Sequence, residues 1–196
     1  MVSLGGNSGR RMSMMKNSDV CPVELHGILD NRLRKLIHNP KKILAPFIRP
    51  GDRAIDIGSG PGFFTIPMAE LAGTEGTVIA ADLQQGMLDI IQKKIENTPR
   101  KKVIRLHRTE KNSLNLSVKA DFILLFYVVH EIENRTEFFR QIGGILKETG
   151  KALLIEHRIH VTKKDFEKTK QAAQKAGLKV TRGPKLFFDR TSVITG

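Results

Sequence analysis

Ala54-Ile55-Asp56-Ile57-Gly58-Ser59-Gly60-Pro61-Gly62-Phe63 is a short apolar, β-branched run that breaks into three closely spaced glycines. Glycine lacks the Cβ that hinders a sharp turn or a close backbone approach, so Gly-x-Gly-x-Gly at a strand end lets the chain reverse beside a ligand. The residues that follow predict a helix from about Phe63 to Ala72, its N-terminus pointing at the turn. Strand, glycine turn and helix in that order read as a ligand cradle, with a plain strand-to-helix turn as the alternative.

Working outward, Thr77-Val78-Ile79-Ala80-Ala81-Asp82 predicts a second buried strand that ends in an acid. A helix follows from Gln84 to about Asn97, with Met87, Leu88, Ile91 and Ile95 as its apolar stripe. Lys102 to Leu106 gives a third strand and Arg108 to Lys119 a loop. The apolar run Ala120 to Val129 fits a strand covered on both faces. Thr136 to Lys147 is the next helix, and Gly150 opens a fifth strand, Lys151 to Glu156. After a helix from about Lys163 to Ala176, Leu178 to Arg182 and Leu186 to Ile194 flank Gly183-Pro184. That spacing predicts a hairpin whose last strand runs antiparallel to its neighbours. Alternating strands and helices make a doubly wound α/β fold, a mostly parallel Rossmann-like sheet with an antiparallel last strand.

On the amino side, Leu25, Ile28, Leu29, Leu33, Leu36 and Ile37 recur at helical spacing. Asn39-Pro40 starts a further helix, with Asn39 as cap and Pro40 in the first turn, ending before Pro50. Residues 1–19 have no periodicity and predict a disordered or loosely attached tail, leaving 20–196 as a single domain in which 20–48 covers the active side.

Composition narrows the class. The 196 residues are 40% hydrophobic, enough for one core. No apolar run is long enough to cross a bilayer and Met1 to Val20 lacks the apolar middle of a secretion signal, so the expectation is a cytoplasmic protein without membrane insertion. The single Cys21 excludes an internal disulfide and argues against a cysteine-based metal site. His157 and His160 are the closest histidine pair, without convincing metal spacing. The net charge of +13 is the one extreme. It can steer the protein to RNA or an anionic substrate, but the cations are spread along the chain and are not interleaved with aromatics.

The glycine turn, Asp82 at the next strand end, Leu146-Lys147-Glu148-Thr149-Gly150-Lys151 and the terminal hairpin together resemble a class I S-adenosylmethionine-dependent methyltransferase. The resemblance covers about residue 40 to the C-terminus. Pro50-Gly51-Asp52 and Asp82-Leu83-Gln84-Gln85-Gly86-Met87-Leu88 are similar to the small-molecule branch typified by ubiquinone and menaquinone C-methyltransferases. A dinucleotide fingerprint, Gly-x-Gly-x-x-Gly, is the rival, but Gly62 comes one residue early for it and Phe63 stands in the third glycine's place.

The resemblance implies S-adenosylmethionine as cofactor. It gives Asp56 the ordering of the loop and the methionine ammonium group, and Gly58, Ser59, Gly60 and Gly62 the backbone around the donor. Asp82, with two acceptor oxygens, is placed for both ribose hydroxyls, or else caps the next helix. Leu83 and Met87 resemble adenine walls, though Met87 on its stripe equally suits the core. The family's adenine-amino partner has only Thr109-Glu110 as a counterpart, a departure from the pattern.

For catalysis, in-line transfer from a sulfonium draws most of its rate from orientation, and a base is optional. Phe126, Tyr127, His130 and Glu131 should emerge after the fourth strand at the cofactor edge. His130 can act as a base or be a hydrogen-bonded structural residue, and Tyr127 is a site residue or core filler. Glu156, His157 and Arg158 can line the pocket from the fifth strand. The absence of Asn/Asp-Pro-Pro-Tyr/Phe after the fourth strand speaks against amino methylation by that motif, and the absence of cysteine there excludes the cysteine route to 5-methylcytosine. A small-molecule acceptor is therefore the first expectation, an RNA methyltransferase of the compact basic type the second and a binding-only domain the third. The pocket is open, or completed by residues about 20 to 38 or by a second subunit in a homodimer.

Overall fold

The computed structural model describes residues 39–196. The expected tail, the helix over residues 22–37 and Cys21 lie outside the described residues. Asn39 caps α1 (Pro40–Leu44) as its sequence suggests, its Oδ1 accepting from the Lys42 N–H at 3.1 Å. The elements that follow are β1 (Arg53–Ile57), α2 (Thr65–Ala72), β2 (Thr77–Asp82), α3 (Gln85–Ile95), β3 (Ile104–Arg108), β4 (Ala120–Phe126), α4 (Arg135–Ile145), β5 (Leu146–His157), α5 (Lys163–Lys175), β6 (Lys179–Arg182) and β7 (Asp189–Thr195).

The seven strands lie in the order β3-β2-β1-β4-β5-β7-β6. β1 through β5 pair in parallel, and β7 runs antiparallel to both β5 and β6. This is the doubly wound sheet with the reversed last strand that the alternation of segments predicts. Its order reverses between β1 and β4, which opens a crevice at the carboxyl ends of those two strands, the general ligand position of such sheets.

The strand period of two sorts the core into two layers. Ile55, Ile57, Ile123, Leu125, Ala152 and Leu154 face α4 and α5, meeting Phe138, Phe139 and Phe166. Ala54, Val78, Ala80, Phe122, Leu124 and Leu153 face the other way, onto α1, α2 and α3 through Leu44, Met68 and Ile91. Asp56 shares the parity of Ala54, so its carboxyl is delivered to the α2 layer.

Several boundaries differ from expectation, among them the following. β4 stops at Phe126 and not at Val129, because Tyr127 takes a left-handed φ of 56° and Val129–Glu131 form a 3-10 turn. β3 begins at Ile104, two residues late, after Pro99–Lys102 make a 3-10 turn started by the proline. β5 begins at Leu146, before Gly150: Leu146 pairs with Ala120 and Lys151 with Phe122, so the chain bulges across residues 147–150. A Cβ on Gly150 would lie 2.8 Å from the Ala120 carbonyl oxygen, so only glycine suits the close approach there. The terminal hairpin has a six-residue connection, 183–188, which takes Leu186 to Phe188 out of the last strand.

Candidate active site

The glycine turn occupies the crevice. Gly58 has φ 69° and Gly60 φ 50°, conformations that side chains resist. They are glycine for different reasons. A Cβ on Gly58 would lie 2.8 Å from Val128 Cγ2, whereas one on Gly60 would meet nothing within 4 Å. Gly58 is thus required by the protein's own packing, and Gly60 faces open space.

The turn spends its own amides. The Gly58 and Ser59 N–H groups donate to the Ala81 carbonyl at 2.8 and 3.1 Å, and the Gly62 N–H to the Ser59 carbonyl at 3.0 Å. The Gly60 N–H donates to Asp82 Oδ2 at 2.8 Å. A phosphate cradle needs such amides directed at the ligand. Here they are consumed; Asp82 reaches the turn from β2, and, among the described residues, the one cation on it, Lys94, donates through Nζ to the Pro61 carbonyl at 2.8 Å on the outer flank. Ser59 Oγ is buried and has no hydrogen-bond partner.

Asp56 is buried and accepts the Thr65 hydroxyl at 2.6 Å. Burial pushes its carboxyl up to about 7, the Thr65 hydrogen bonds oppose that rise and the nearby Asp82 charge adds to it. Thr65 was not singled out by the sequence; its signal is a hydroxyl at the first residue of the helix after the glycines. Asp82, also buried, accepts from Gly60 through Oδ2 and from the Gln84 N–H through Oδ1 at 2.9 Å. It therefore orders both the turn and the start of α3. Leu83 is exposed beside it, and Met87 is buried on the stripe of α3. The Thr109 N–H bonds the Asp82 carbonyl at 2.9 Å, which brings the exposed Glu110 to the same edge.

The other side of the crevice is built from side-chain pairs. Phe126 packs on Phe64 with centroids 4.4 Å apart and stacks on Tyr127 at 3.8 Å. The Tyr127 hydroxyl donates to Asp189 Oδ1 at 2.6 Å, so the first residue of β7 fixes the ring. His130 Nδ1 lies 2.8 Å from Glu156 Oε2, and the His130 N–H donates to Oε1 of the same carboxylate at 3.0 Å. Glu156 is 1% exposed, and its hydrogen bond holds the His130 imidazole above the ordinary histidine range against the opposing effect of burial. With Nδ1 held by the carboxylate, Nε2 is the nitrogen left to meet a substrate. His157 packs edge-on against Tyr127 at 5.6 Å. Asp189 went unnoticed in the sequence, where the polar Arg190-Thr191-Ser192 follow it and nothing local sets it apart.

A cavity of about 500 Å³ opens on the outer flank of the turn, lined by Pro40, Gly62, Phe63, Ile66 and Pro67 among others. It touches none of Asp56, Asp82 or His130.

A reversed-order sheet with an antiparallel seventh strand and an acid-flanked glycine turn in its crevice is the class I methyltransferase architecture. A model of the methyltransferase domain family matches residues 48–185, and the chain belongs to that family. It is 29% identical over 110 residues to a demethylmenaquinone methyltransferase of Lactobacillus johnsonii, covering 56% of this chain and 45% of that protein. It is 27% identical to a ubiquinone/menaquinone biosynthesis C-methyltransferase of Vibrio campbellii, covering 55% and 42%. The chain thus spans less than half the length of these curated relatives. Among solved structures, a SAM-dependent methyltransferase from Aquifex aeolicus superimposes with a TM-score of 0.79 at 21% identity, covering 89% of this chain and 98% of that one.

Proposed function

We propose that this methyltransferase uses S-adenosylmethionine to methylate a small molecule in the crevice between β1 and β4. The observation that carries the reading is the polarity of the turn. The amides of Gly58, Ser59, Gly60 and Gly62 are already bonded, the open-faced Gly60 is tied to the buried Asp82, and the buried Asp56 lies near enough to Asp82 to feel its charge. Such a site suits a cationic, hydroxyl-bearing ligand and not a pyrophosphate.

In this reading Asp56 faces the ammonium group and Asp82 the ribose hydroxyls. Leu83 covers the adenine, Met87 supports it from beneath, Glu110 takes its amino group, and Phe126 closes the inner end. Gly58, Ser59 and Gly62 shape the turn, and Gly60 lets the ligand approach. The donor supplies an electrophilic methyl group on a sulfonium. Everything else is aiming: Tyr127, fixed through Asp189, and His130, fixed through Glu156, border the side from which an acceptor enters. His130, neutral and with Nδ1 tied to Glu156, accepts the acceptor's proton at Nε2. The quinone-pathway names of the relatives favour a small apolar acceptor.

Calorimetric titration with S-adenosylmethionine tests the donor site, with saturable binding expected and none contradicting it. A methyl-acceptor screen with the wild type and His130→Ala then tests the base. A rate lower by about 100-fold is expected of the variant with donor affinity kept.

A further inference from the structure

Three of the large apolar side chains that the fold leaves in solvent stand together at one place. Ile159 is 82% exposed, Phe187 85% and Phe188 44%. They lie on two adjoining loops, 158–162 after β5 and 183–188 before β7, both at the carboxyl edge of the sheet where His157 pairs with Asp189. The loops are fastened to each other. The Arg158 N–H donates to the Phe188 carbonyl at 3.0 Å, Arg158 Nε to the Asp189 carbonyl at 3.0 Å, and Arg190 Nε to the Val161 carbonyl at 3.1 Å. Phe187 and Phe188 pack edge to face at 4.7 Å, which presents them as one block.

The surroundings are predominantly cationic; the acid next along the chain, Asp165, accepts from the Thr162 hydroxyl at 2.7 Å and pairs with Lys168 at 3.4 Å. Arg158, Lys163, Lys164 and Lys185 are exposed around the block. The sole acid in residues 158–164 and 183–190 is Asp189, which is 2% exposed and bonded to Tyr127. Exposed aliphatic and aromatic groups inside a cationic collar match the layering of an anionic bilayer surface, where apolar side chains enter the acyl boundary and cations meet the headgroups. Single-stranded nucleic acid also takes cations with aromatics, but the most exposed aliphatic member, Ile159, has no face on which a base stacks.

We propose that this cationic apolar tip is a docking surface for an anionic phospholipid bilayer, entered by Ile159, Phe187 and Phe188. The contact is interfacial and needs no spanning helix. It is independent of the donor reading, because none of these residues belongs to the glycine turn. Docked in this way, the carboxyl end of β5, where His157 pairs with Asp189, lies next to the membrane.

The test is co-sedimentation of the full chain with vesicles of equal parts phosphatidylcholine and phosphatidylglycerol, against phosphatidylcholine alone. Binding to the mixed vesicles is expected. It should weaken by about ten-fold or more when Ile159→Ser, Phe187→Ser and Phe188→Ser are combined, and similarly for Lys163→Glu with Lys164→Glu. The substituted side chains are exposed, so unchanged melting temperatures verify that the variants fold. Absence of binding to the mixed vesicles at low salt, or equal binding by the apolar variant, overturns the proposal. So does a uridine oligomer that binds more tightly than the vesicles and loses affinity in the same apolar variant, an outcome that assigns the tip to nucleic acid.

Discussion

The two sides of the crevice are held in different ways. On the β1–β2 side, carboxylates are bonded largely to backbone amides and a hydroxyl: Asp82 to Gly60 and Gln84, Asp56 to Thr65. On the β4–β5 side, reactive side chains are held by other side chains: His130 by Glu156, Tyr127 by Asp189. The first arrangement fixes the path of the chain and tolerates little change in glycine spacing. The second fixes single rings, the Tyr127 phenol and the His130 imidazole. In the proposed reading, one side moulds the donor site and the other frames the acceptor.

The largest effect that would sharpen this contrast lies at the glycines. Gly58→Ala adds a left-handed penalty and a clash with Val128, for a loss of about 3 kcal/mol of stability in urea denaturation. Gly60→Ala pays the conformational term alone, about 1 kcal/mol, and should instead lose donor affinity in calorimetry. Equal stability losses at the two sites would break the distinction between packing glycine and ligand glycine. Asp82→Ala comes next. Removing the acceptor of two amides should lower S-adenosylmethionine affinity by about 30- to 100-fold, and undiminished binding would remove Asp82 from the site.

On the acceptor side the effects are smaller. Tyr127→Phe takes one hydrogen bond from a buried carboxylate and should cost about 1–2 kcal/mol in thermal or chemical unfolding, with donor affinity kept. Glu156→Gln should act through His130. The folded-state pKa of His130 is raised, so the pair stabilises the fold below the ordinary histidine pKa of about 6.5 and ceases to do so as pH climbs through the raised value. The variant should therefore lose more stability in acid than in alkali, and the rising limb of its pH–rate profile should move to lower pH. An unmoved limb would take the base role from His130. The smallest signal belongs to Asp56. With its carboxyl pushed up to about 7, a cationic ligand beside it should expel a fraction of a proton near neutrality. Calorimetry of donor binding in buffers of different ionisation enthalpy detects that release.

The same contrast explains what the sequence made legible. The turn could be read because its chemistry is carried by spacing within one short stretch: three glycines, then an acid at the end of the next strand. The mostly parallel sheet followed from alternation, since parallel strands demand crossovers. The early end of β4 could not be read, because Tyr127 lies within an apolar run and its left-handed backbone is set among contacts to β5 and β7. Asp189 was hidden for a related reason: its partner is 62 residues away, and nothing local marks a strand-initial acid as a ring anchor. Glu156 was visible as a pocket candidate, but its grip on His130 requires the parallel register of β4 with β5.

The parallel pairing of β1 with β4 also has a kinetic side. Its flanking bond, from the Arg53 N–H to Asp121 Oδ2, joins residues 68 apart, so this seam closes at a larger entropic cost than the β1–α2–β2 unit. Gly58 packs against Val128, on the far side of that seam. The stretch most readily recognised along the chain therefore reaches its working shape only after β4 has crossed over, and donor binding during refolding becomes a reporter of the last long-range closure of the sheet and not of its first local turn.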